Sequence, residues 1–137
     1  MSFVLDTSVT MAWLFEDEVT EQTERLLDSL SEEEAWVPSL WSYEVGNVLV
    51  VAERRGRITE AQERHFTRLL LSLPIQVADT SAGALWDGAL SLARARNLSV
   101  YDAAYLDLAM KTGLPLATLD SKLGDTAMQL GVDVIGK

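Results

Sequence analysis

Short apolar runs alternate along this chain with longer segments in which apolar side chains recur at helical spacing. Phe3-Val4-Leu5 is expected to be a first strand, followed by helices over Val9–Phe15 and Glu18–Leu30. Ala35-Trp36-Val37 reads as a short second strand closed by Pro38. Ser39 is suited to cap a helix over Leu40–Arg55 that Gly56 stops. Thr59 and Pro74 bracket a further helix, Thr59–Leu73, and Ile75-Gln76-Val77 makes strand three. Ser81–Arg96 has helical spacing. Ser99 caps a helix that runs to about Thr112, with Gly113 at its stop. Leu116–Leu119 is strand four, Ser121–Leu130 a helix and Val132–Ile135 strand five.

Strands that alternate with helices predict an α/β domain built on a parallel sheet. The strands are short and nearly all apolar, as strands covered on both faces should be. No linker, low-complexity stretch or internal repeat interrupts residues 1–137, so a single domain is expected. In open α/β sheets, ligands bind beyond the carboxyl ends of the strands, where strand order reverses. Asp6 and Asp120 each close an apolar run, at such an end.

Composition narrows the chemistry. The 137 residues are 48% hydrophobic and include no cysteine, which excludes disulfides and thiolate metal sites. The first residues lack a basic segment, and no run is long enough to span a membrane, so a cytoplasmic protein is expected. The net charge of −10 argues against a broad basic face for nucleic acid. Charge is unevenly spread, however. Nine acids and one base, Arg25, lie between Glu16 and Glu34, whereas Arg54, Arg55, Arg57, Arg64 and Arg68 cluster further on. These blocks read either as solvated helix faces or as a local basic contact for a polyanion.

Four acids stand where structural acids are costly. Asp6 follows Phe3-Val4-Leu5, and Asp120 follows Leu116-Ala117-Thr118-Leu119. Glu44 shares a mainly apolar helix stripe with Leu40, Trp41, Asn47, Val48 and Val51; Asp102 shares one with Tyr105, Leu106 and Ala109. Each has an ordinary reading too: Asp6 and Asp120 as helix caps, Asp102 as a first-turn acid, Glu44 as an edge residue reaching water. Taken together they point to a cation site, because gathered carboxylates repel one another unless a cation intervenes. Oxygen ligands without cysteine or a histidine cluster fit Mg²⁺ or Mn²⁺. Thr118 is placed to aim its hydroxyl at the cluster. Asp125 is a fifth acid near its rim, or simply solvated; Asp107 is expected to pair with Lys111.

Other catalytic sets are missing. His65 is the sole histidine and reads as a solvated helix residue. No phosphate-binding glycine loop or Gly-x-Ser-x-Gly elbow occurs. Trp13, Trp36, Trp41 and Trp86 read as core, although Trp13 or Trp41 is placed to line a partner groove beside the site segments.

Four stretches in order, Val4-Leu5-Asp6-Thr7-Ser8, Pro38-Ser39-Leu40-Trp41-Ser42-Tyr43-Glu44-Val45-Gly46-Asn47-Val48-Leu49, Leu98-Ser99-Val100-Tyr101-Asp102-Ala103-Ala104-Tyr105-Leu106 and Leu116-Ala117-Thr118-Leu119-Asp120, resemble PIN-domain nucleases. The resemblance is to the VapC-type toxins of bacterial toxin–antitoxin pairs, and covers essentially the whole chain. It implies a three-layer α/β/α domain with sheet order 3-2-1-4-5. It carries the family's acidic quartet onto Asp6, Glu44, Asp102 and Asp120, with Thr7, Ser8 and Thr118 as supporting hydroxyls. It also implies Mg²⁺- or Mn²⁺-dependent cleavage of RNA, a homodimer, and inhibition by a cognate antitoxin in a hetero-oligomer. Apolar helix surface near Val48–Val51 is a candidate for the dimer contact.

On this reading Asp6, Asp102 and Asp120 hold one or two ions, and Glu44 serves as ligand or base for the attacking water. Arg54, Arg55 and Arg57, or Arg94 and Arg96, offer the RNA a basic route. Two other readings compete: a housekeeping PIN nuclease without an antitoxin, and a non-catalytic acidic interaction module in which the carboxylates merely cap helices.

Overall fold

The structure, a computed structural model, describes residues 2–136. Five strands, β1 (Phe3–Leu5), β2 (Ala35–Pro38), β3 (Ile75–Ala78), β4 (Leu116–Ala117) and β5 (Val134–Ile135), form one sheet in the order β3-β2-β1-β4-β5. Every pairing is parallel, so each connection returns across the sheet through a helix. Successive strand residues face opposite sides, and all three residues of β1 are buried. The central strand is therefore covered on both faces, which accounts for its unbroken apolar sequence.

Eight α-helices surround the sheet among the described residues: α1 (Thr7–Ala12), α2 (Glu21–Ser29), α3 (Leu40–Arg54), α4 (Glu60–Ser72), α5 (Ala82–Leu85), α6 (Ser91–Arg96), α7 (Val100–Thr112) and α8 (Ser121–Gln129). A π-helical turn, Trp86–Leu90, joins α5 to α6. Helix α7 packs against β1, β2 and β4 and buries Ala103, Ala104, Tyr105, Leu106 and Ala109. It stops at Gly113, whose φ of +69° costs a residue without Cβ little. None of the described helices is long and apolar enough to cross a membrane.

The predicted elements appear with shifted edges. Helix α1 begins at Thr7, two residues early, because Asp6 is extended and its carboxylate accepts from the Thr7 N–H. Strands four and five shrink to two residues each. The segment over Ser81–Arg96 is three helical pieces rather than one. Gly88, in the π turn, lies so close to α7 that a Cβ there would meet Asp107 Oδ2 at 2.7 Å. That crowding is a tertiary fact which helical periodicity does not encode. Thr59 and Ser99 cap their helices as expected. Ser39 does not: its backbone is already right-handed helical (φ −58°, ψ −28°), and its hydroxyl caps no first-turn amide.

Val48, Val50 and Val51 are half-buried and Leu49 lies in the core. Trp41 is buried and its indole N–H donates to Thr10 Oγ1 at 3.0 Å; that of Trp13 donates to the Thr23 carbonyl at 2.8 Å. Trp13 is half-buried, whereas Trp41 lines an open groove together with Val45, Leu70, Leu71, Ile75 and Val77. His65 is exposed on α4, and Asp107 pairs with Lys111 at 2.8 Å, as expected.

Candidate active site

The register of the sheet assembles the site. Val4 pairs with Leu116 and Leu5 with Ala117, so the chain leaves β1 and β4 side by side at their carboxyl ends. Asp6 and Thr118, the next residue on each strand, therefore meet: Thr118 Oγ1 donates to Asp6 Oδ2 at 2.7 Å. Ser8 Oγ donates to the same oxygen at 2.8 Å, and Asp6 Oδ1 accepts from the Thr7 N–H at 2.8 Å. Only 6% of Asp6 is exposed. Its pKa is raised, first by burial and in small part by the charge of Glu44, against the three hydrogen bonds that favour the anion.

The two supporting hydroxyls also accept. Ser8 Oγ takes the Leu119 N–H at 2.9 Å and Thr118 Oγ1 takes the Asp120 N–H at 3.1 Å. They fasten the loop after β4 to the start of α1. Asp120 is exposed, and its Oδ1 caps α8 by accepting from the Leu123 N–H at 2.9 Å. The cap readings of Asp6 and Asp120 are thus both realised, alongside their place in the cluster.

Glu44 reaches the cluster from α3. Its Oε1 accepts from Thr7 Oγ1 at 3.0 Å and from the Tyr105 hydroxyl at 2.5 Å. Tyr105 is wholly buried on α7, and Thr7 Oγ1 lies 2.9 Å from its oxygen. Burial, and then the bond to Glu44, push the phenol well above its ordinary pKa, which keeps it a donor. Sequence reasoning missed Tyr105 as a site residue and assigned it to the core face. Its place three residues after Asp102 gave no sign of the contact, which needs the packing of α7 beside α3.

Asp102 sits in the first turn of α7, behind the cap Ser99, and is half-buried. Its pKa is pushed up to about 6, first by loss of hydration and then by the charges of Asp120, Asp6 and Glu44; Lys122 works in the opposite direction. All four acids therefore share one electrostatic field. Asp125 is exposed on α8.

Among the described residues, no three acid or histidine side chains stand close enough to share one ion in this conformation. The donor set nevertheless suits a hard cation: the acids that meet are all oxygen donors, two of them ionise reluctantly, and a dication relieves both the burial cost and the repulsion. Tyr105, Thr7, Ser8 and Thr118 fix Glu44 and Asp6 as supporting groups fix metal ligands.

Thr118→Val keeps the shape of a fully buried side chain but removes the hydroxyl that joins Asp6 to the Asp120 amide. It is expected to cost about 1–3 kcal/mol of stability. Urea unfolding checks this, with Thr118→Ser as the variant that keeps the hydroxyl; a Val variant as stable as the parent would contradict it.

Comparison with known proteins gives concordant matches. The model of the PIN domain family matches residues 3–128. The chain is similar to Ribonuclease VapC3 of Pyrobaculum aerophilum, with 33% identity over 125 residues, which cover 91% of this chain and 94% of that protein. Among solved structures it is similar to PAE2754 from Pyrobaculum aerophilum, with a TM-score of 0.75 and 24% identity over 98% of this chain and 89% of that one. It is also similar to a chain of a toxin–antitoxin complex from Klebsiella pneumoniae, with a TM-score of 0.62 and 20% identity over 88% of each chain.

Proposed function

Since this chain belongs to the PIN domain family, we propose that it is a divalent-cation-dependent endoribonuclease, the toxin of a toxin–antitoxin pair. Residues 1–137 act as one nuclease domain on this reading. The observation that carries it is the hydrogen-bonded cluster in which Ser8 and Thr118 hold Asp6, Thr118 also holds the Asp120 amide, and Thr7 and Tyr105 hold Glu44, with Asp102 in the field of the other three acids. Structural caps do not need to converge. Ser99 caps α7, and Glu44 lies more than a turn inside α3, so neither Asp102 nor Glu44 has a capping role. This weighs against a non-catalytic module of scattered helix caps.

Asp6, Asp102 and Asp120 would hold Mg²⁺ or Mn²⁺, with Glu44 as a further ligand or as the base for water. The ion supplies charge compensation at the phosphate and a lower pKa for water. The protein's own groups do the rest. Tyr105 and Thr7 hold Glu44 in one orientation by two donated hydrogen bonds. Ser8 and Thr118 hold Asp6 in one rotamer. Attack by water opposite the leaving 3′ oxygen yields a 5′-phosphate and a 3′-hydroxyl.

The name of the VapC3 relative supports ribonuclease activity here, and the Klebsiella complex supports an antitoxin partner. A cytoplasmic setting and a homodimer complete the reading. Incubating total RNA with and without Mg²⁺ or Mn²⁺, and then mapping the ends, tests it. Ion-dependent internal cuts with 5′-phosphate ends are expected. Cleavage that persists in excess chelator, or 2′,3′-cyclic phosphate ends, would overturn it.

The basic route to the site is narrow. Arg57 is committed to Asp17 at 2.6 Å and Glu18 at 3.1 Å and lies 3.6 Å from the Phe15 ring centre; Arg64 pairs with Glu60 at 3.5 Å. The two opposed charge blocks thus partly satisfy each other, which favours Arg94 and Arg96 over the Arg54–Arg57 route. Arg94 and Arg96 are exposed in the last turn of α6, and Lys122, which acts on Asp102, donates to the nearby Asn97 carbonyl. With about three phosphates neutralised, the slope of log K against log salt should be near −2 for single-stranded RNA. Fluorescence anisotropy over a salt series measures it, and a slope several times steeper would contradict the narrow route.

A further inference from the structure

We propose that Tyr43 and Tyr101 are base-stacking residues that make the site selective for unpaired RNA. This rests on the nuclease reading above. Tyr43 immediately precedes Glu44 on α3 and is 83% exposed; Tyr101 immediately precedes Asp102 on α7 and is 65% exposed. Tyr101 also lies one helical turn before Tyr105, the residue that holds Glu44. Two helices joined by the Tyr105–Glu44 hydrogen bond thus each carry an exposed ring one residue before a site acid. Of the exposed large apolar side chains among the described residues, these two are the chain neighbours of the quartet.

Exposed rings contribute little to a core, and the charge of this protein explains their use. At a net charge of −10, with Arg57 and Arg64 paired to acids, phosphate attraction contributes little to RNA affinity. Stacking on aromatic faces does not depend on net charge, and each base–ring contact contributes enough to shift affinity severalfold or more. It also selects by structure. A paired base offers its faces to its neighbours in the duplex, whereas an unpaired base is free to lie on tyrosine. The rings would therefore bring loops and single strands to the carboxylates and leave helical RNA aside.

Binding is measured in an Asp6→Asn background, which removes cleavage, using an unstructured RNA octamer, the same octamer with abasic positions, and its duplex. Tyr43→Ala and Tyr101→Ala should each weaken octamer binding by about 5- to 100-fold, and Tyr→Phe at either position by less than about threefold. The abasic octamer should bind the tyrosine and alanine proteins alike, and the duplex should bind weakly to all. In otherwise unsubstituted protein, the alanine changes should raise KM by a similar factor and leave kcat within about threefold. Alanine variants that bind the octamer normally would overturn the proposal, as would equal binding of duplex and single strand. Variants that keep RNA binding but lose a protein partner would overturn it in favour of protein docking. Failure of the nuclease reading shows separately, as absence of ion-dependent cleavage by the parent, and the binding series still decides the role of the rings.

Discussion

Asp102→Asn and Asp6→Asn chains are expected to lose RNA cleavage by a factor on the order of 10³ or more while remaining folded. The substitution keeps the size of the side chain and removes the negative charge that a dication and its water depend on. Asp102→Asn is the cleaner of the two. Asp102 is half-buried, and the fold places the cap of its helix on Ser99 instead. Asp6 is more deeply embedded, since three donors converge on its oxygens, and an Asn amide group accepts from only part of that set. Its substitution should therefore also lower stability by about 1–3 kcal/mol. Initial rates with Mn²⁺, beside circular dichroism and thermal midpoints, separate lost chemistry from lost structure. Rates close to the parent's in both variants would contradict the assignment of these acids.

Without a divalent ion, Asp102→Asn should be more stable than the parent near neutral pH. The folded-state pKa of Asp102 is about 6 against an ordinary value of 3.8. A raised carboxyl binds its proton more tightly in the folded state than in the unfolded one. That stabilisation is fully present below about pH 4 and is lost as pH rises through about 6. The full shift would correspond to about 3 kcal/mol; solvent screening of a half-exposed group reduces it to about 1 kcal/mol. In a chain of this size that is roughly 4 °C of Tm. The variant should therefore gain a few degrees at about pH 7.5, and nothing at about pH 4, where the parent's carboxyl is already neutral. Mn²⁺ should raise the parent's Tm at about pH 7.5 by mass action and leave the variant's nearly unchanged. A variant less stable than the parent at neutral pH would mean that the carboxylates do not repel one another as the geometry requires.

Much of the architecture was legible because local rules and the fold agree. Apolar runs of three or four residues between capped helices gave the strands, and Thr59, Ser99 and Gly113 act as their residue types predict. The acids after β1 and β4 stood out because carboxylates rarely end apolar runs in a core. What was not legible depends on neighbours distant in sequence. Tyr105 looks like any core aromatic until α7 is laid beside α3, and only then does its hydroxyl find Glu44. The π turn after Leu85 contains Gly88, which approaches Asp107 so closely that a Cβ would clash, a contact no periodicity announces. Arg57 looked available to RNA until the chain brought Asp17 and Glu18 against it. Ser39 failed as a cap because its backbone enters the helix one residue early.

Convergence of the four acids on a dication is the claim on which the function rests, and calorimetric titration with Mn²⁺ tests it most directly. At about pH 7.5 the parent should bind one or two ions saturably, with affinity falling as pH drops through about 6, and Asp102→Asn should bind them far more weakly. Saturable binding unchanged by Asp102→Asn, or no saturable binding by the parent, would contradict the account.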